Sequence, residues 1–329
     1  MKDTLNYLFE GNTLTAAEAE AILTKIGEGQ FSESEIASFL TVFRMRKVKG
    51  EEMAGFRQAM LNLCIPVDFS DFNTIDVVGT GGDGKNTFNI STLSCFIIAG
   101  AGYKVTKHGN YGLSSVSGSS NMFEHFGYRF TNDPEKLRRE VDEIGLCFFH
   151  APLFHPAMKH VGPVRRALKV RTLFNIMGPL LNPSFPKNQL VGVSDLEIMK
   201  LYHEVFKSSD QNYMIVHSLD GYDEVSLTSD AQVISTQDNK ILSPADFGFD
   251  TYAQEELSGG ESVEDAAFIF KSILESKGTS AQQHVGIANA ALGIQCMCPE
   301  KSLSDCVAEA TEALESKKAL AVFTKLMNS

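Results

Sequence analysis

No apolar run in this 329-residue chain is long enough to cross a bilayer; the longest lies near residues 95–101, well short of the roughly 20 residues a spanning helix needs. Residues 1–12 lack the apolar centre of a signal peptide. The six cysteines (64, 95, 147, 296, 298 and 306) include no Cys-x-x-Cys pair and sit mostly in apolar periodic segments. A disulfide framework is therefore not expected, and a reduced, cytoplasmic setting is. Basic charge is also in short supply: 29 Lys and Arg against 41 Asp and Glu leave a net charge of −12. That balance argues against a general nucleic-acid binder, although it permits a local basic pocket. Internal repeats and low-complexity tracts are absent. What remains is a chain 43% hydrophobic and long enough for about two domains.

Residues 1–66 read as helical. Thr15-Ala16-Ala17-Glu18 and Ser32-Glu33-Ser34-Glu35 are capping boxes. Behind the second, Ile36, Phe39, Leu40 and Phe43 fall on one helical face, and Met53, Phe56, Met60 and Leu63 repeat the spacing. After a connector at 66–73 the pattern changes to strand–loop–helix units, the mark of a parallel sheet. Strands are expected at 74–78, 103–107, 146–149, 189–193, 212–217 and 231–236, with helices between them, including 133–144 and 195–206. Residues 155–183 interrupt the alternation and read as an excursion back to the helical part, forming one wall of a cleft. Three helical runs close the chain from residue 263, the last spanning 308–327. The fold class is thus α/β: a small all-helical N-terminal domain (1–66), with an excursion near 163–185 packing back onto it, and a larger domain (70–329) whose mostly parallel central sheet is flanked by helices.

The chain is organised around Asp76-Val77-Val78-Gly79-Thr80-Gly81-Gly82-Asp83-Gly84-Lys85-Asn86-Thr87-Phe88-Asn89-Ile90-Ser91-Thr92. A β-branched strand runs into four glycines within six residues, then into hydroxyl and amide side chains at the start of an apolar helix. Inward-turned backbone N–H groups and a helix N-terminus make an anion site. Two familiar patterns nearly fit. Gly79 to Gly84 satisfies G-x-G-x-x-G, but the next strand ends in basic Lys107-His108 where a nicotinamide cofactor would need an acidic residue. Gly79 to Lys85 also satisfies G-x-x-x-x-G-K, but Asn86 follows instead of a magnesium-binding hydroxyl.

Two further segments are expected at the same sheet edge. Lys107-His108-Gly109-Asn110-Tyr111-Gly112-Leu113-Ser114-Ser115, continuing to Ser119, supplies a charge, amides and hydroxyls. Asp220-Gly221-Tyr222-Asp223-Glu224 follows a strand, and its adjacent carboxylates suit magnesium shared with substrate phosphates, with Ser91 able to add a hydroxyl. His150, His155 and His160 stand five apart, not at metal-pair spacing, and read as structural. Cys296 and Cys298 read as core or surface residues. Arg165 and Arg166 lie on the proposed cleft-side helix, where a guanidinium could fork onto a carboxylate.

These stretches, with Pro163-Val164-Arg165-Arg166 and residues 171–183, resemble the anthranilate phosphoribosyltransferase family over nearly the full length. The resemblance implies transfer of the phosphoribosyl group of 5-phosphoribosyl 1-pyrophosphate to the anthranilate amine, giving N-(5-phosphoribosyl)anthranilate and pyrophosphate, in tryptophan biosynthesis. It implies that Gly79, Gly82, Asp83, Thr87, Asn89, Ile90, Ser91, Thr92, Lys107, His108, Gly109, Asn110, Tyr111, Gly112, Leu113, Ser114, Ser115 and Ser119 hold phosphoribosyl pyrophosphate. Gly79, Asn110 and Arg165 would contact anthranilate. Ser91, Asp223 and Glu224 would bind two Mg2+ per subunit, and a homodimer would form through the helical part. The chain departs from the usual family pattern at Tyr111, where many members carry Arg, at Val116, often basic, and at Ser120-Asn121, often Ala-Asp. Electrostatic stabilisation and positioning are expected to carry catalysis, with no single indispensable acid or base. A nucleoside phosphorylase of the same fold is the rival enzyme, disfavoured by length and by Asp223-Glu224. A non-catalytic nucleic-acid-binding homologue is disfavoured by charge.

Overall fold

The computed structural model describes residues 1–112 and 116–329. Four helices open the chain: Lys2–Phe9, Ala16–Gly27, Glu33–Met45 and Gly50–Asn62. Both expected capping boxes form, with the Thr15 and Ser32 hydroxyls accepting from the N–H of Glu18 and Glu35. Phe39, Phe43 and Phe56 meet edge to face, with centroids 5.0–5.9 Å apart.

Among the described residues seven strands form one sheet: β1 (Thr74–Gly79), β2 (Lys104–Gly109), β3 (Leu146–His150), β4 (Asn188–Gly192), β5 (Asn212–Ser218), β6 (Ala231–Ser235) and β7 (Asn239–Leu242). Their order is β3-β2-β1-β4-β5-β6-β7. The first five are parallel, and β6 and β7 are antiparallel. The chain winds outward from β1 to β3 and then returns to lay β4 on the other side of β1. A crevice therefore opens at the C-terminal ends of β1 and β4, where Gly79 and Gly192 are register partners.

Side-chain alternation gives the sheet two unlike faces. Ile75, Val77, Val105, Leu190 and Val216 pack into one apolar cluster with Leu93, Phe96 and Leu292 of the helices Ile90–Gly100 and Ser280–Met297. Val191, Tyr213 and Ile215 point the other way, into a cluster with Phe39, Phe56 and Met53 of the N-terminal helices. Val161, Val164, Leu173, Phe174 and Met177 belong to that second cluster too, so the 155–183 segment packs on the helical part. We call the two sides the helix face and the bundle face. No helix among the described residues is long and apolar enough to cross a membrane.

Three local expectations need correction. β7 lies outside the expected strands; it is a polar edge strand, Asn-Lys-Ile-Leu, created by a tight turn in which the Ser235 N–H donates to the Asp238 carbonyl at 2.8 Å. The 133–144 helix is α only over Pro134–Arg139 and widens to a π-turn over Glu140–Ile144. There the buried Glu140 carboxylate accepts from the Tyr128 hydroxyl at 2.8 Å. The final run is two helices, Leu303–Glu315 and Lys318–Met327, making four from residue 263 rather than three. They part at Lys317, φ +62°, which turns the last helix down onto Gly100; a Cβ there would stand 2.6 Å from the Ala319 nitrogen.

Candidate active site

The glycine loop leaves β1 with Gly81, Gly82 and Gly84 at φ +62°, +72° and +76°, a region that favours glycine. The Thr80 N–H donates to the Gly192 carbonyl at 2.9 Å, fastening the loop to β4 across the crevice. The helix Ile90–Gly100 then begins, with Asn89 in the left-handed region before it.

The acidic doublet meets this loop. The Gly81 N–H donates to Asp223 Oδ2 at 2.7 Å, and the Ser91 N–H to Glu224 Oε1 at 2.8 Å. Thr87 Oγ1 lies 3.5 Å from Glu224 Oε2. The turn carrying the doublet is rigid: Ser218 Oγ donates to the Glu224 carbonyl at 2.7 Å, and Asn289 bonds both the N–H and the carbonyl of Val225. Asp220, expected beside the doublet, instead ties the turn together, accepting from Thr228, Ser229 and Gln254 side chains. Gly79 and Gly192 leave room for Asp223; a Cβ on Gly79 would press against its carboxylate and one on Gly192 against its carbonyl.

Burial and the neighbouring Asp83 push the Asp223 carboxyl up to about 7. Glu224 is raised well above the ordinary range by burial, then by Asp223 and Asp83, with Lys107 partly opposing. Such an excess of buried negative charge fits a divalent cation, which would favour the ionised forms of both carboxyls. Among the described residues no three His, Cys, Asp or Glu side chains converge to hold an ion by themselves. Asp223, Glu224 and the Ser91 hydroxyl fit Mg2+ of the kind that completes its shell with water and phosphate oxygens.

The second loop splits along the sheet's alternation. Lys107 turns to the helix face, buried, and its Nζ donates to the Val77 carbonyl at 2.8 Å. His108 turns to the bundle face, against Asp76. Asn121 Oδ1 accepts from the N–H of both Gly112 and Gly118 at 3.0 Å, closing the loop on itself. The Asn110 carbonyl accepts from the Ser120 N–H at 3.1 Å and Ser119 Oγ at 3.4 Å. Asn89 Nδ2 reaches the Ser117 carbonyl at 3.0 Å, joining the two loops. Tyr111 sits edge-on to His150 at 5.1 Å, and His150 stacks on Phe130 at 4.2 Å. An aromatic shelf thus stands where a cation is usual in the family resembled. Leu113, Ser114 and Ser115 lie outside the described residues.

Gly79, Gly82, Asp83, Thr87, Asn89 to Thr92 and Lys107 to Gly112 therefore lie on or next to one crevice, with Asp223 and Glu224 bonded to its backbone. Ile90 and Thr92 are buried in the helix start and offer backbone rather than side chains. Arg165 lies on the helix Met158–Leu168; its guanidinium lies 3.4 Å from Asn175 Oδ1 and 5.6 Å from the centre of the Phe174 ring. Burial lowers its pKa. No hydrogen bond among the described residues joins it to Gly79 or Asn110. Arg166 is exposed. His150 bonds Ser120, and His155 bonds the Leu181 carbonyl.

Two contacts escaped the sequence reading. Arg171 donates to the carbonyls of Gly82 at 2.8 Å and Gly81 at 3.2 Å, clamping the glycine loop from the bundle side. On the opposite flank Lys85 is held by Gln254 at 3.1 Å and by the Tyr222 ring at 4.5 Å. The Arg-Thr-Leu-Phe-Asn run and the lone Lys carried no local signal for either contact, because both partners are distant in the chain.

Residues 71–320 match the α/β-domain model of a glycosyl transferase family, and residues 2–64 match the helical bundle domain of that family. The chain is 52% identical over 327 residues to the anthranilate phosphoribosyltransferase of Phocaeicola vulgatus, covering 99% of each. It belongs to the anthranilate phosphoribosyltransferase family. Its structure superposes with TM-score 0.93 on the anthranilate phosphoribosyltransferase of Thermus thermophilus, at 30% identity and covering 99% of this chain and 98% of that one. The Saccharomyces cerevisiae anthranilate phosphoribosyltransferase solved in complex with PRPP and Mg shares the fold, with TM-score 0.89 and 24% identity over 98% and 96% of the chains. At the two departures from the family's usual pattern, Asn121 bonds the Gly112 and Gly118 N–H groups, and the Tyr111 hydroxyl donates to the Glu124 carboxylate at 3.4 Å.

Proposed function

We propose that this chain transfers the phosphoribosyl group of phosphoribosyl pyrophosphate to the amine of anthranilate, releasing pyrophosphate. One observation carries the reading: the 223–224 carboxylates bond the backbone of the glycine loop at Gly81 and of the helix start at Ser91, far earlier in the chain, beyond the C-terminal edge of β1. An anion cradle and a cation-seeking carboxylate pair on one crevice suit a magnesium diphosphate.

The roles follow from position. Gly79, Gly82, Asp83, Thr87 and residues 89–92 would cradle the diphosphate and ribose on one side, and residues 107–115 with Ser119 on the other. Gly79, Asn110 and Arg165 would receive anthranilate, with Arg165 moving onto its carboxylate when the bundle side closes. Ser91 with Glu224, and Asp223 with Glu224, would each hold one Mg2+. Held by Ser91, Asp223 and Glu224, Mg2+ would supply neutralisation of the charge that develops on the departing pyrophosphate. Backbone N–H groups of the glycine loop stabilise the same charge without reorganising. The neutral aryl amine then attacks C1 of the ribose as its bond to the pyrophosphate oxygen breaks, and the fixed geometry of the two substrates supplies much of the rate.

We further divide the chain into a helical domain, 1–66 with the 163–185 excursion, and an α/β domain, 70–329. A cytoplasmic homodimer through the helical domain accords with the exposed Phe9 and Met45 on its surface. Mixing the protein with Mg2+, phosphoribosyl pyrophosphate and anthranilate should quench anthranilate fluorescence. Phosphorolysis of thymidine with no such quenching would overturn the assignment. Asp223→Asn with Glu224→Gln should lower turnover most at limiting Mg2+; unchanged turnover there would remove the metal roles.

A further inference from the structure

The bundle face of β1 and β2 carries a buried polar layer where an apolar one would be ordinary. Asp76 is fully buried, and both of its oxygens are spent on one residue: Oδ1 accepts from the His108 N–H at 3.2 Å, and Oδ2 lies 3.0 Å from His108 Nδ1. A carboxylate can only accept, so Nδ1 carries the proton, and in the ring's neutral form Nε2 is left with a lone pair. Nε2 has no hydrogen-bond partner among the described residues. The residue is 4% exposed. His108 stands near the end of β2, one residue before Gly109, on the face turned toward the helix that bears Arg165. We propose that Asp76 and His108 form a dyad in which His108 Nε2 accepts the proton released by the attacking amine, while Asp76 is a positioning residue that fixes the ring and its tautomer.

This rests on the transfer proposed above. The nitrogen lone pair forms the bond to C1, and the C1–O bond breaks with its electron pair passing to pyrophosphate. The nitrogen is left with one proton too many, which passes to Nε2. Asp76 stabilises the imidazolium, and the proton leaves to water with the product. Among the described residues the Arg165 and Arg171 guanidiniums lie on this side, as does His155, beyond β3, whose pKa is lowered to about 4 by burial and then by His108. It is neutral at working pH and does not oppose charge on His108. Lys107 turns to the opposite face. An arylammonium is itself a strong acid, so the dyad assists the reaction rather than gating it.

The test is steady-state kinetics of His108→Gln, Asp76→Asn and the double variant with saturating Mg2+. Each single change should lower kcat about 100-fold, the low end for general-base catalysis. His108→Gln should also lose the acid limb of the kcat–pH profile, and the double variant should be no slower than the slower single one. Wild-type kcat per folded molecule with an unchanged pH profile, or additive losses, would overturn the dyad. A single-turnover solvent deuterium effect on the wild-type protein is an independent check: a normal effect supports proton transfer in the step, and its absence removes it. A wild-type protein with no anthranilate transfer at all would instead sink the underlying activity.

Discussion

The two faces of the sheet solve different problems with the same strands. On the helix face, Val77 and Val105 sit among apolar side chains, and Lys107 is the exception, spent on a carbonyl below the carboxylate doublet. On the bundle face, Asp76, Thr106 and His108 form a polar layer over β1 and β2, while Val191 and Ile215 keep the neighbouring strands apolar. The difference shows where charge is tolerated in this fold. Lys107 apart, the helix face holds its charges beyond the strand ends, where backbone N–H groups and a cation can meet them. The bundle face holds one buried charge in mid-strand and satisfies it with a single histidine.

The contrast can be broken most severely at Gly79. A Cβ there would lie 3.1 Å from the Asp223 carboxyl carbon, so Gly79→Ala should displace the doublet and cut kcat/KM at least about 100-fold, or about 3 kcal/mol. Near-normal kinetics would mean that the doublet tolerates movement. On the bundle face, His155 is neutral in the folded protein down to about pH 4, against an ordinary 6.5. Between those values the unfolded chain binds a proton that the folded one refuses. Stability is therefore complete above pH 6.5 and lost as pH falls toward 4, by up to about 3 kcal/mol. Urea midpoints measured across that window should fall less steeply with acid in His155→Gln; an identical slope would assign the loss elsewhere.

Arg171→Ala removes the clamp that the bundle side places on the glycine loop. We expect KM for phosphoribosyl pyrophosphate to rise about tenfold with kcat changed far less, since the lost bonds are charge-assisted but exposed. Initial-rate titrations decide this. The smallest effect is expected at Thr106, whose buried hydroxyl has no partner among the described residues. Thr106→Val relieves that, and stability should hold or rise, by up to about 1 kcal/mol, as a melting curve would read. A clear fall would place an ordered water on the hydroxyl.

Much of this was legible in the residues. The Thr15 and Ser32 boxes, the β-branched run into Gly79 and the helix expected at 195–206 carry local physics, and each forms, the last as Leu196–Lys207. β7 and the break at Lys317 were not legible, because each is stabilised by a neighbour rather than by its own propensity. Resemblance to a family supplied the list of site residues, but not that Lys107 and His108, adjacent in sequence, serve opposite faces.

The sequence alone determined periodicities: which stretches alternate, which wind, where glycine permits a turn and where charge collects. Those follow from torsional preference and from the spacing of apolar side chains within a few residues. Only the tertiary structure decided that Gly81 meets Asp223, that Arg171 reaches back to Gly82, and that Asp76 is satisfied by His108. Each of these depends on the order in which strands pair, and that order is set by burial summed over the whole sheet rather than by any single segment.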